Sequence, residues 1–218
     1  MRKQFTFIHG SSGTGKTLYL RDMIAGRIRS GGRVCTLDPN GIFDGYGDVM
    51  DVDAAVKLLS RKGGSEPFAI VVRVGWGESW SPVWPAVFRA GHVLLAADEA
   101  QNWFASPGAQ VGTLDPEAMK FQQVARNRCC DLATTSQAPT TLHPSVRLNY
   151  DVRVTFRQDD PGYAVATART MKSKELEPLI GSLPDRCYLR VTNRGELSRG
   201  GPLPVPPVPP LPMPERRP

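Results

Sequence analysis

The sequence lacks the features that would place it in a membrane or in an oxidising compartment. Its four cysteines contain no C-x-x-C pair, and they do not combine with the three histidines at metal-ligand spacing. No stretch approaches the ~18 consecutive apolar residues that a transmembrane helix needs. We therefore expect reduced thiols, no cysteine-based metal site, and a soluble cytosolic protein.

Composition limits the size and number of domains. With 218 residues, 40% of them hydrophobic, the chain can bury one substantial core but not two full ones. A net charge of +6 is compatible with a polyanionic partner, although such an excess is also typical of an ordinary solvated surface. Nine of the 20 prolines follow Gly201. A segment so rich in proline can form neither a helix nor a sheet, because proline has no backbone N–H to donate. We predict a domain over residues 1–199 and an extended or disordered tail over residues 200–218.

The strongest motif is a glycine-rich loop between an apolar strand pattern and a helical pattern. It satisfies G-x-x-x-x-G-K-[ST] in full and predicts a phosphate-binding loop, in which Lys16 reaches the β- and γ-phosphates of ATP and Thr17 binds Mg²⁺. A glycine- and serine-rich turn with a chance lysine is the alternative. The loop comprises Gly10, Ser11, Ser12, Gly13, Thr14, Gly15, Lys16 and Thr17.

Strand and helix patterns alternate along the chain, which predicts a largely parallel sheet. The fold class we expect is α/β: a three-layer α/β/α P-loop NTPase with a mostly parallel, RecA-like central sheet and a few antiparallel edge strands. The predicted strands are 4–8, 33–37, 68–74, 93–97, 132–136, 152–157, 164–168 and 187–192, and the predicted helices are 17–30, 53–61, 82–89 and 116–127.

An apolar run from Val93 to Ala97 ends in the carboxylates Asp98 and Glu99. This pattern is typical of a Walker B strand, whose first carboxylate supports Mg²⁺ and whose second polarises the attacking water. An acidic helix cap is the alternative interpretation.

Two further candidates flank the next predicted strand. Gln137 at its end is suited to hydrogen-bond the γ-phosphate or the water, although an ordinary turn before Pro139 explains it equally well. Arg126 and Arg128 end the preceding helix, which we expect to lie close to the active edge of the sheet. Either arginine could act in trans on a neighbour's γ-phosphate, or simply stabilise the helix C-terminus.

Together these motifs resemble the FtsK/HerA superfamily of DNA-pumping ATPases, especially its zonula occludens toxin-like and viral genome-packaging branches. The phosphate loop is shared by all P-loop proteins, whereas the ordered combination is more specific; it covers about residues 4 to 155. The residues that carry the resemblance are Gly10 to Thr17, Asp98-Glu99-Ala100-Gln101, Arg126-Asn127 and Thr135-Ser136-Gln137. The resemblance implies an ATPase in which Asp98 supports the metal, Glu99 activates water, Gln137 senses the γ-phosphate and Arg126 acts in trans.

Two departures limit the analogy. The toxin-like proteins usually carry a membrane span after the ATPase domain, and its absence from this sequence favours the packaging branch. They also often have histidine where Asn127 stands, which weakens the trans-acting role of the arginine but not the ATPase assignment. The packaging branch implies a pentameric or hexameric ring that acts on double-stranded DNA. It also implies a host cytoplasmic location, or association with a capsid vertex through the proline-rich tail.

Three other functions stay open: a toxin-like ATPase that extrudes single-stranded DNA, a small-molecule kinase, and a nucleotide-gated scaffold. No spacing singles out DNA contacts, for which the candidates are Arg73, Arg89 and Lys120. Three tryptophans, Trp76, Trp80 and Trp84, belong either to the core or to a substrate loop or subunit interface.

Overall fold

The computed structural model describes residues 4–61, 66–74, 79–105 and 114–205. Within these ranges one sheet has the order β3-β4-β2-β5-β6-β1-β7-β8-β9. Its strands are β1 (Phe5–His9), β2 (Arg33–Leu37), β3 (Asp48–Met50), β4 (Phe68–Val72), β5 (Val93–Ala97), β6 (Asp131–Ser136), β7 (Val152–Thr155), β8 (Tyr188–Thr192) and β9 (Leu197–Gly200). All pairings are parallel except β7 with β8 and β8 with β9.

Helices cover both faces of this sheet. Residues of β1, β2, β4 and β5 are buried along their whole length, because successive side chains point alternately into the two flanking layers. The α-helices are α1 (Lys16–Arg29), α2 (Val52–Arg61), α3 (Val83–Ala90), α4 (Gln101–Phe104), α5 (Pro116–Val124), α6 (Pro144–Leu148), α7 (Pro161–Thr170) and α8 (Glu177–Gly181). The predicted three-layer α/β/α P-loop NTPase fold is confirmed.

The order of the central strands positions the site. Strand β6 lies between β1, which leads into the phosphate loop, and β5, which leads into Asp98. Because these strands are parallel, their carboxyl ends lie side by side at one edge of the sheet. We refer to it as the carboxyl edge.

Two aromatic residues from the tryptophan-rich region pack inside the protein. Trp84 is fully buried, and its ring meets those of Trp103, Phe104 and Phe121 with centroids 5.5 to 6.0 Å apart. Trp80 packs edge-on against Trp103. These contacts support the core interpretation for both residues, whereas Trp76 lies outside the described residues.

One predicted strand is wrong. Residues 164–168 belong to helix α7, because Asp160 accepts a hydrogen bond from the amide of Tyr163 and Pro161 occupies the first helical turn. The alanine-rich run that follows suits a helix better than a strand. The short strands β3 and β9 were not predicted, and the helix that begins at Pro116 ends at Val124 before a 3₁₀ turn over Ala125–Arg128.

The start of the proline-rich segment is tied to the domain. Strand β9 ends at Gly200, and the Leu203 amide donates a hydrogen bond to the Arg186 carbonyl at 3.1 Å. Residues 206–218 lie outside the described residues, so the division at residue 200 stays a prediction. Among the helices of the described ranges, none has the length and apolarity needed to cross a membrane.

The cap of α7 gives a stability prediction. Replacing Asp160 with alanine should lower the free energy of unfolding by about 1 kcal/mol, because the Tyr163 amide in the first turn loses its side-chain acceptor. Asp160→Asn keeps a capping oxygen and should stay near the native value. Urea denaturation measures both, and equal stability of the alanine variant and the native chain would contradict this assignment of the helix start.

Candidate functional site

The phosphate loop joins β1 to α1 in a conformation that requires glycine. Gly13 and Gly15 have φ of 75° and 121°, in the region that side chains other than glycine rarely adopt. A Cβ on Gly15 would lie 2.9 Å from the Phe156 ring and 3.2 Å from the Cα atom of Arg186. These two contacts could not be predicted from the sequence, because Phe156 and Arg186 lie more than a hundred residues after the loop.

Lys16 is a buried cation whose partners are the loop's own carbonyls. Its Nζ donates hydrogen bonds to Gly10 O at 2.7 Å and to Ser11 O at 2.9 Å. Burial lowers the pKa of Lys16 below its ordinary value, while the nearby negative charges of Glu99 and Asp98 act in the opposite direction. The structure therefore brings the lysine and both carboxylates together, and the amine is available to exchange carbonyl oxygens for phosphate oxygens.

The start of α1 also suits an anion. The helix begins at Lys16, its N-cap is Gly15, and no side chain caps it. The first amides of a helix have no intrahelical acceptors, and the helix dipole favours negative charge at this end. Thr17 lies half-buried in this first turn. A polyphosphate fits this combination of uncapped amides and buried ammonium group.

Asp98 lies at the carboxyl end of β5, buried to 2% exposure. Its Oδ1 accepts a hydrogen bond from the Thr135 hydroxyl at 2.6 Å. Burial raises the pKa of Asp98 to about 6, which the Thr135 hydrogen bond and the Lys16 charge partly oppose. In the described residues no donor reaches Oδ2, so this oxygen is available to a divalent cation or its water shell.

Glu99 follows in a left-handed backbone conformation, with φ of 56°. Its amide donates to the Thr135 hydroxyl oxygen at 2.9 Å, and its carboxylate accepts a hydrogen bond from the side-chain amide of Gln101. The carboxylate is only half-buried. It is therefore accessible to a water molecule at the carboxyl edge.

Asp38 is a buried carboxylate that sequence reasoning missed. It follows β2, accepts hydrogen bonds from the amides of Ile42 and Phe43, and pairs with Arg73 at 3.3 Å. Its negative charge contributes to the raised pKa of Asp98. The sequence feature that could have indicated this residue is the Asp-Pro-Asn-Gly turn directly after a buried strand.

Gln137 lies just past the carboxyl end of β6, between the phosphate loop and Asp98. The residue is exposed, and its carbonyl accepts a hydrogen bond from the side chain of Gln158 at 3.1 Å. The exposed side chain is compatible with the predicted contact to a γ-phosphate, which stays a prediction.

The expected position of Arg126 and Arg128 is wrong. Arg126 stacks over the Phe5 ring at 3.9 Å and pairs with Asp151 at 2.9 Å, at the start of β1 and thus roughly 13 Å along the strand from the phosphate loop. Arg128 donates to the Arg89 carbonyl at the end of α3. A residue that ends a crossover helix before a parallel strand must lie at the amino ends of the strands, so neither arginine serves the site of its own subunit. Their action in trans stays a prediction.

The candidate DNA contacts are dispersed. Arg73 lies at the carboxyl edge, where it pairs with Asp38 and Asp44. Arg89 and Lys120 are exposed on α3 and α5. These three positions do not form one basic surface, so the contacts with DNA stay a prediction.

In the described part of the chain, no group of three or more His, Cys, Asp or Glu side chains could hold a metal ion by itself. Mg²⁺ is usually held by one or two protein oxygens together with substrate phosphates and water. Thr17 and Asp98 therefore fit Mg²⁺ that arrives with a nucleotide.

The contacts of Arg126 give the second prediction. Arg126→Ala should lower the free energy of unfolding by about 2 kcal/mol, because it leaves Asp151 without its cation and removes the stacking on Phe5. Arg128→Ala loses bonds to the Phe88 and Arg89 carbonyls and a looser contact with the Phe88 ring at 6.0 Å, but no ion pair. It is the matched control and should lose less than about 1 kcal/mol. Chemical denaturation without nucleotide measures both, and equal losses would contradict the structural role of Arg126.

Solved structures match the chain, although no family model and no curated protein sequence does. The genome packaging NTPase B204 from Sulfolobus turreted icosahedral virus 2 in complex with AMP has a TM-score of 0.75 at 17% identity, over 92% of this chain and 98% of that chain. Its complex with ATP-gammaS has a TM-score of 0.73 at 18% identity, over 93% and 98%. The bacterial conjugative coupling protein TrwBdeltaN70 has a TM-score of 0.62 at 10% identity, over 89% and 83%. The chain therefore shares the fold of this viral genome packaging NTPase and of this conjugative coupling protein, which is the fold that its motifs predict.

Proposed function

We propose that this chain is a Mg²⁺-dependent ATPase that moves double-stranded DNA during viral genome packaging. The observation that carries the proposal is that Lys16, Asp98, Glu99 and Gln137 all follow the carboxyl ends of three adjacent parallel strands, β1, β5 and β6. A phosphate loop alone would suit a kinase equally well. A half-buried glutamate directly after the Walker B aspartate favours attack by water.

Each residue has a distinct task in this proposal. Lys16 leaves the carbonyls of Gly10 and Ser11 and donates to the β- and γ-phosphates. Thr17 and Asp98 hold Mg²⁺, which neutralises charge on the phosphate oxygens when bound.

Glu99 takes a proton from water as the water oxygen bonds to the γ-phosphorus and the bond to the β,γ-bridging oxygen breaks. Gln137 orients that water or the γ-phosphate. The exposed amide of Gln137 and the half-buried Glu99 carboxylate lie at the ends of β6 and β5, which are neighbours in the sheet. This arrangement supports joint action on one water molecule.

The solved relatives support the choice of substrate. One is named as a genome packaging NTPase of a virus and another as a conjugative coupling protein, and the viral protein matches over almost its whole length. By analogy we propose a ring of five or six subunits around duplex DNA, with Arg126 or Arg128 acting across the subunit interface. Sequence-independent binding would come from contacts to the phosphate backbone. The proline-rich tail is proposed to bind a capsid vertex protein.

ATP hydrolysis by the full chain tests the proposal. Phosphate release should rise when duplex DNA is added, and Glu99→Gln should reduce kcat about 100-fold or more because water loses its base. The same variant should bind a fluorescent ATP analogue with native affinity. Glu175→Gln, on the exposed surface of a 3₁₀ turn, is the matched control and should hydrolyse ATP at the native rate.

The alternatives give different results in the same assay. Stimulation by single-stranded DNA alone would favour an extrusion ATPase. Turnover only with an added acceptor would indicate a kinase. Binding without turnover under any condition would indicate a nucleotide-gated scaffold and overturn the proposal.

A further inference from the structure

Thr135 makes three hydrogen bonds to the turn that carries the two carboxylates. Its hydroxyl donates to Asp98 Oδ1 at 2.6 Å and accepts from the Glu99 amide at 2.9 Å, and its carbonyl accepts from the Ala100 amide at 2.7 Å. Thr135 itself is fully buried in β6. One residue of the central strand therefore contacts three consecutive residues of its neighbour's turn.

The Thr135 hydroxyl both donates and accepts a hydrogen bond, which a serine hydroxyl could also do and a valine side chain could not. As a donor it fixes the rotamer of Asp98, so that Oδ2 is the oxygen left for a cation. As an acceptor it satisfies the amide of Glu99, whose backbone has the sparsely populated left-handed conformation. Without the Thr135 hydroxyl, the Glu99 amide would lose its hydrogen-bond acceptor in a largely buried region.

From this geometry we propose that Thr135 is a positioning residue for hydrolysis. It holds the Asp98 carboxylate in the orientation that binds Mg²⁺ and holds Glu99 in the orientation that reaches the water. The inference rests on the proposed ATPase function and deepens it. Because β6 also carries Gln137 at its end, the same strand aligns the carboxylates with the residue proposed to contact the γ-phosphate.

The neighbouring residue Thr134 provides a matched control. It is equally buried in the same strand, but its side chain points to the other face of the sheet, where its hydroxyl pairs with that of Tyr150 at 2.7 Å. Removing the Thr134 hydroxyl costs a buried hydrogen bond without touching either carboxylate. If a lower kcat comes only from weaker packing or lower stability, both Thr135→Val and Thr134→Val should therefore show it.

The test compares Thr135→Val, Thr135→Ser and Thr134→Val in the full chain. Thr135→Val should lower kcat about 10- to 100-fold, as expected when a charged group loses a hydrogen bond and its neighbour is released. Thr135→Ser keeps the hydroxyl and should stay within about threefold of native, as should Thr134→Val. The affinity for a fluorescent ATP analogue in EDTA should be unchanged in all three, since the phosphate loop is intact.

A second readout does not depend on turnover. The ratio of the analogue's Kd in EDTA to its Kd with Mg²⁺ reports how much the metal strengthens binding. This ratio should fall several-fold in Thr135→Val and stay native in Thr135→Ser and Thr134→Val. If Thr135→Val does not fold, Thr135→Ala and Thr135→Ser differ by the same hydroxyl, and the alanine variant should show both losses.

Two results would overturn the inference. One is a hydroxyl-free variant with native kcat and a native metal effect on binding. The other is a serine variant as impaired as the hydroxyl-free one. If the native chain hydrolyses no ATP at all, the proposed function fails, whereas the metal effect on binding still decides the role of Thr135.

Discussion

The site depends on the parallel pairing of β1, β6 and β5. Each strand is buried on both faces, so its register is held by packing against the flanking helices and cannot slip without exposing apolar side chains. Parallel pairing places the three carboxyl ends together. The phosphate loop, Gln137 and a pair of acidic residues thereby become neighbours, although they are far apart in the sequence.

Two charged side chains are buried at this edge of the sheet. Within the described residues, Lys16 has only main-chain carbonyls as hydrogen-bond partners, and burial raises the pKa of Asp98. Buried charges are costly unless they are paired. An anionic polyphosphate would pair with the lysine, and a divalent cation would pair with the aspartate. The proposed Mg²⁺–nucleotide complex would therefore supply a counter-charge to each of these two buried groups.

Local sequence patterns predict the phosphate loop, the Walker B carboxylates and most of the sheet. Each of these features is encoded by a short stretch of sequence, either a motif or an apolar run. The β/α alternation also sufficed for the three-layer architecture. The alanine- and threonine-rich run of helix α7 lacks a clear period, so its sequence distinguishes a helix from a strand only through the cap at Asp160. The position of Arg126 could have been predicted, since a residue just before a parallel strand lies at its amino end.

Other parts of the site could not be predicted from local patterns. The contacts of Thr135 with Asp98 and Glu99 join residues on different strands, and they depend on which strand inserts between β1 and β5. The burial of Asp38 beside Asp98 depends in the same way on the pairing of β2 with β5. Strand order depends on how the whole core packs. The contacts of these side chains therefore cannot be predicted from the residues next to them in the sequence.

A crystal structure with Mg²⁺ and a non-hydrolysable ATP analogue would test the proposed nucleotide site. We expect Lys16 Nζ to leave the Gly10 and Ser11 carbonyls for phosphate oxygens. We also expect the metal to lie between Thr17 and Asp98, with Glu99 and Gln137 facing the γ-phosphate. A nucleotide bound elsewhere, or a lysine still bonded to the loop carbonyls with nucleotide present, would contradict the proposed site.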